Sequence, residues 1–222
     1  ADAVIESGMR ASLSFCFLDG GDKQKQIRER DECQRVYQIL KDKSDKIQFT
    51  VSIHGHYTVC DENMLWATDF ARNNGLLLHT HLSETKSEND THIAKYGVSP
   101  TKRLYDMGIL GNDMIAAHSL WLSDEDIEMY AEKGVTAVHN INSNLKLASG
   151  YRFRYNELKQ AGVNVAIGTD GAGSSNNLDM LEAMKTSAIV QKAWREDPAA
   201  MPLNELMDMG SANGAKALGL DM

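Results

Sequence analysis

LLLHTHLSETKS, residues 76–87, decides how this chain is read. The apolar run Leu76, Leu77, Leu78 stops at His79, Thr80 and His81, and Glu84 follows three residues after His81. An unbroken apolar run of this length is what a strand covered on both faces of a parallel sheet requires. Barrel enzymes carry their catalytic side chains at the C-terminal ends of such strands. A histidine with a carboxylate three positions on suits a metal ligand beside a proton carrier, a pairing that splits bonds with water. One histidine so placed is more often a satisfied core residue. Here the pattern recurs: TVSIH ends on His54, LLLHTH on His81, MIAAH on His118, VTAVHN carries His139, and VAIGTD ends on Asp170.

The stretches between these runs have helical character. Residues 2–8 read as a helix end closed by Gly8, and ASLSFCF (11–17) as a strand. A charged helix follows at 24–43 with Val36, Tyr37, Ile39 and Leu40 on its apolar side. Next come a strand at 47–54, a helix at 61–73, a strand at 76–80 and a loop-and-helix region at 84–108. A strand at 114–118 precedes a helix capped by Ser123, acidic in its first turn and stopped by Gly134. A strand at 135–139 then leads into NINSNLKLASG, a polar loop. A helix at 153–161, the strand VNVAIG and further helix complete the chain. Alternating strands and helices predict an α/β fold with a parallel sheet. A closed eight-stranded barrel takes about 250 residues, so six strands leave it two short.

With 222 residues and ordinary hydrophobic content the chain can bury a sizeable core, and one domain, 1–222, is the economical expectation. A net charge of -8 without a basic stripe argues against nucleic acid as a partner. No apolar stretch approaches the roughly 20 residues that cross a bilayer, and ADAVIESGMR lacks the pattern of a signal peptide. Cys16, Cys33 and Cys60 are widely spaced and read as reduced thiols of a cytoplasmic protein.

Four segments together resemble the metal-dependent amidohydrolase superfamily, in its branch of methylthioadenosine/S-adenosylhomocysteine deaminases and related chlorohydrolases. They are SIHGHYTV (52–59), LLLHTHLSET (76–85), the run from Ile115 to Gly150 containing SNLKLASG, and VAIGTDGAGSSNNLDMLEAM (165–184). ESGMRAS at the start is similar to the entry into that family's third barrel strand. The resemblance implies an incomplete (β/α)8 TIM-type barrel, strands three to eight, without the first two strands and without the small β-sandwich domain. It implies that His81 and Asp170 bind one divalent metal ion, zinc or else iron, and that Asp170 also steers the attacking hydroxide. Glu84 matches the general acid/base, His118 the histidine at the developing tetrahedral centre, and His54 a histidine that touches substrate. His139 falls behind these groups, and His56 and His92 read as a loop residue and a solvated one.

The chemistry is consistent with those assignments. A zinc-type ion lowers the pKa of bound water from about 15.7 to about 7. Hydrolysis at a purine C6 needs one proton on the ring nitrogen and another on the departing amine, and a single carboxyl can deliver both. The alternative reading of Asp170 is a helix N-cap.

The family's first-strand HxH, the source of two further metal ligands, is absent from this sequence. Catalytic zinc usually has three protein ligands, so the chain alone is expected to hold metal weakly and not to turn over. Phe15 stands where related deaminases place an arginine that holds the distal part of the substrate, and Arg28 or Arg30 are the substitutes nearby. The first functional expectation is a hydrolytic deaminase of an adenosine derivative that releases ammonia, its partner a small purine nucleoside and its state a homo-oligomer. The alternatives are a guanine or other aminated-heterocycle deaminase, a triazine chlorohydrolase, or a non-catalytic barrel remnant.

Overall fold

The computed structural model describes residues 1–220 of the chain, which divides into two compact units, Ala1–Thr80 and His81–Met222. Along the described residues six strands are separated by helices, as the periodicity predicts, and further helices follow the last strand. No helix among them is long and apolar enough to cross a membrane.

The first unit contains α1 (Asp2–Ser7), β1 (Ala11–Phe17), α2 (Lys23–Leu40), β2 (Ile47–Ile53), α3 (Asp61–Asn73) and the start of β3 (Leu77–Leu82). β1 pairs with β2 and β2 with β3, both in parallel, with Phe17 opposite Ile53 and Ile53 opposite Thr80. The glycine after α1 adopts the left-handed conformation expected of a helix stop, φ 75° at Gly8. Asp22 caps α2 by accepting from the amides of Gln24 and Lys25 at 2.8 and 3.0 Å. Phe17, Phe49, Val51, Met64, Ala67, Ala71 and Leu78 form a close-packed interior. One face assignment fails: Ile39 is 51% exposed, while Cys33 is the residue of α2 that is buried. Positions 33, 36, 37 and 40 share a helical face at the i, i+3, i+4, i+7 spacing, and 39 lies off it.

The second unit continues β3 into α4 (Lys86–Tyr96), α5 (Pro100–Asp106), β4 (Met114–His118), α6 (Asp124–Lys133) and β5 (Thr136–His139). Then follow α7 (Ile141–Lys146), α8 (Tyr155–Gln160), β6 (Asn164–Ile167), α9 (Ala172–Ser175), α10 (Met180–Arg195), α11 (Leu203–Met209) and α12 (Ala212–Ala217). β4–β5 and β5–β6 are parallel ladders, with His139 opposite Ile167. Two expectations are corrected. The stretch 140–150 is not a continuous loop, because Ile141 is fully buried and draws the chain into the short helix α7. His92 is 4% exposed, so it is a buried residue of α4 and not a solvated one.

α6 begins and ends as its sequence dictates. The Ser123 side chain accepts from the Asp126 amide at 3.1 Å, and the Asp126 carboxylate accepts from the Ser123 amide at 2.9 Å. That is a reciprocal capping box, and Gly134 at φ 72° closes the other end. Ser123→Ala should lower the unfolding free energy by about 1 kcal/mol in urea titration; an unchanged midpoint would show that the cap contributes nothing.

His139 is fully buried at the end of β5 and stacks on Phe153, with ring centroids 4.1 Å apart and planes 18° apart. Burial, with a smaller contribution from the nearby His118, pushes its pKa down to about 3. The folded value lies below that of the unfolded chain, so between about pH 6.5 and pH 3 the unfolded state takes the proton first. Stability should therefore fall as pH drops through that window, by no more than about 1.4 kcal/mol per pH unit from this group. His139→Phe should flatten the pH dependence of the urea midpoint between pH 6.5 and 4, and a parallel curve would refute this origin.

Candidate active site

His81, Glu84, His118 and Asp170 all belong to the second unit, at or just beyond the C-terminal ends of β3, β4 and β6. The chain leaves these strands through strained turns. Ser83, His118, Ser119 and Asp170 have φ of 52, 70, 46 and 59°. Left-handed backbone costs a non-glycine residue on the order of 1–3 kcal/mol. Local bonds hold the turns in place: the Ser119 amide donates to the Leu82 carbonyl, and the Leu120 and Trp121 amides to the Ser83 carbonyl, at 2.9 to 3.0 Å.

Glu84 is the hub. Its Oε1 accepts from the Ser149 hydroxyl at 3.0 Å, and its Oε2 lies 3.7 Å from His118 Nε2. The His118 ring is also next to that of His81, centroid to centroid 5.3 Å. His118 Nδ1 is 2.8 Å from Asn144 Oδ1. An amide oxygen only accepts, so Nδ1 carries the hydrogen and Nε2 donates only when the ring is a cation.

Asp170 uses both carboxylate oxygens. Oδ2 accepts from Ser143 Oγ and Oδ1 from the Gly171 amide, each at 2.7 Å. Burial pushes this carboxyl up. The hydrogen bonds from Ser143 and Gly171, with the nearby imidazoles of His118 and His81, outweigh burial and leave it below the usual range. The N-cap alternative does not describe its role here, because Gly171 caps α9 and no side chain accepts from that helix.

The remaining candidates lie in the first unit. His54 follows β2 with Nδ1 2.8 Å from Thr58 Oγ1, and the His56 ring lies 5.3 Å from that of Tyr57. Phe15 packs edge-on against Phe17 at 5.1 Å. Arg30 Nε donates to Asn63 Oδ1 at 2.6 Å, and its guanidinium sits 5.8 Å from the Trp66 ring centre. Asn63 in turn donates to the buried Asp19 carboxylate at 3.0 Å, so Arg30 already anchors a structural network.

Imidazole and carboxylate, the donors offered by His81 and Asp170, are the ligand chemistry of hydrolytic zinc. Among the described residues no group of three or more His, Cys, Asp and Glu is arranged to hold an ion. The donors present therefore fit part of a coordination sphere.

Sequence reading singles out neither Ser149, Asn144 and Ser143 as partners of Glu84, His118 and Asp170, nor Glu88, which binds the backbone under Glu84. The first three sit in the polar stretch 140–150, whose small and amide side chains mark it only as a group. Glu88 had a readable signal, the Thr85-x-x-Glu88 spacing of a capping box.

The amidohydrolase family profile spans residues 1–222. The chain is 41% identical over its full length to a 5-methylthioadenosine/S-adenosylhomocysteine deaminase of Thermococcus sibiricus, covering 52% of that protein. It is 40% identical to a 5'-deoxyadenosine deaminase of Methanothermobacter thermautotrophicus, again covering 52%. An adenosine deaminase from Xanthomonas campestris, solved with bound zinc, superposes with a TM-score of 0.88 at 32% identity, over 99% of this chain and 50% of that one. The chain thus spans about half the length of the relatives it matches, and its fold is part of their barrel. Family profile, full-length identity and superposition agree: the chain belongs to the amidohydrolase family.

Proposed function

We propose that this chain carries the acid/base part of a metal-dependent hydrolytic deaminase whose substrate is an adenosine derivative. The observation that carries the proposal is the Glu84 carboxylate, set between the Ser149 hydroxyl and the His118 ring, with the His81 ring alongside. Names of relatives about 40% identical over the whole chain support the substrate class.

His81 and Asp170 would hold the ion, with further ligands from residues outside this chain. When bound, the ion supplies a hydroxide-strength nucleophile at neutral pH. Glu84 would take one proton of the attacking water and deliver it to the ring nitrogen beside the reacting carbon, then take the remaining hydroxyl proton of the addition product and pass it to the departing amine. His118, whose Nε2 faces the Glu84 carboxylate, would stabilise the charge that develops at the reacting centre. Asp170, held below the usual carboxylate range, stays ionised and accepts from the attacking water.

The test uses the full-length protein loaded with zinc and offered 5'-deoxyadenosine, methylthioadenosine, S-adenosylhomocysteine, guanine and a chlorotriazine. Ammonia should appear fastest with an adenosine derivative. Chloride from the triazine alone, or ammonia from guanine alone, would replace this reading with another hydrolase of the same branch. Glu84→Gln should retain the metal, measured by elemental analysis, and lower kcat by about 10²–10⁴-fold. Undiminished turnover would remove Glu84 from the role of proton carrier.

A further inference from the structure

The Glu84 side chain is held from two directions. Beneath it, the Glu88 carboxylate accepts from the amides of Ser83, Glu84 and Thr85 at 3.0, 2.7 and 3.3 Å. This fixes the main chain at the strained Ser83 and so sets where the Glu84 side chain begins. At its other end, Ser149 Oγ donates to Oε1 at 3.0 Å from a site 65 residues along the sequence.

Ser149 is itself immobilised. It is 5% exposed, its amide donates to the Asn144 carbonyl at 2.9 Å, and its carbonyl accepts from the Trp121 indole at 2.8 Å. The chain bends sharply on both sides, with φ of 55° at Ala148 and 139° at Gly150. At φ 139° Gly150 adopts backbone that an L side chain rarely does, and a Cβ there would also press on Leu120 Cδ2 at 2.9 Å and Trp121 Cζ2 at 3.3 Å. Asn144, which fixes His118 through its side chain, fixes Ser149 through its backbone carbonyl. One short segment therefore orients both groups.

We propose that Ser149 is a positioning residue that divides the labour of the Glu84 oxygens. The hydroxyl hydrogen occupies Oε1, so the travelling proton resides on Oε2, the oxygen that faces His118. This rests on the deaminase reading above. A carboxylate free to rotate would present either oxygen and would lose part of the advantage of a fixed geometry. The assignment adds no new step to the reaction. It states which atom carries the proton and what holds that atom in place.

In the zinc-loaded full-length enzyme, Ser149→Ala should lower kcat by about 10–100-fold with KM within about 2-fold. Ser149→Thr, which keeps the hydroxyl, should recover most of the loss. In a Glu84→Gln background the Ser149→Ala change should have almost no further effect, because its only route to the reaction is gone. A crystal structure of Ser149→Ala should show the Glu84 carboxylate turned from its native plane, a readout independent of any substrate. Full kcat in Ser149→Ala, or equal damage by Ala and Thr, would overturn the proposal. So would an undiminished loss in the Glu84→Gln background, or an unmoved carboxylate. If no adenosine derivative releases ammonia from the unaltered enzyme, the deaminase reading fails and the crystallographic comparison still decides the clamp.

Discussion

The second unit is organised around one carboxylate held by a hydroxyl at one oxygen and facing an imidazole with the other. Glu84 meets a hydroxyl on one side and an imidazole on the other, and neither partner is near it in sequence. Ser149 is placed by Asn144 and Trp121, His118 by Asn144, and the backbone under Glu84 by Glu88. Loosening any of these would let the carboxylate rotate. Several polar groups must therefore be satisfied together in a nearly dry region, where an unpaired partner costs about 1–3 kcal/mol.

That arrangement is destabilising in places, and the core offsets it. Left-handed backbone at Ser83, His118, Ser119, Ala148 and Asp170 surrounds the site. Immediately behind lie Leu82, Ala116, Ala117, Ala137, Ile141 and Val165, all almost or wholly inaccessible to water. Parallel strands with both faces covered are stiff, and their C-terminal ends point a small set of side chains toward one another. The left-handed turns at the ends of these strands give the side chains directions that regular strands cannot.

Much of this is legible in the sequence. The abrupt change from apolar to polar at His118 and His139 marks the ends of β4 and β5, whereas β3 runs on through His79, Thr80 and His81 to Leu82, past the expected end at 80. Ser123 and Gly134 bracket α6 as their chemistry demands. What escaped reading depends on distance along the chain. The contacts of Ser149 with Glu84, Asn144 with His118 and Ser143 with Asp170 span 65, 26 and 27 residues, and no local pattern encodes them. α7 was hidden because Asn and Ser are poor helix formers, and tertiary burial of Ile141, Ser143 and Asn144 overrides that propensity. His92 was misplaced because its neighbours in sequence are charged, while the α4 surface it occupies packs inward.

The most direct test of this account is anomalous diffraction from crystals of the zinc-loaded full-length protein. The account predicts a peak about 2.0–2.1 Å from a His81 ring nitrogen and about 2.0–2.2 Å from an Asp170 oxygen. Glu84 should stand beside that peak without ligating it and remain bonded to Ser149. Zinc bound away from His81 and Asp170, or coordinated by Glu84 itself, would contradict it.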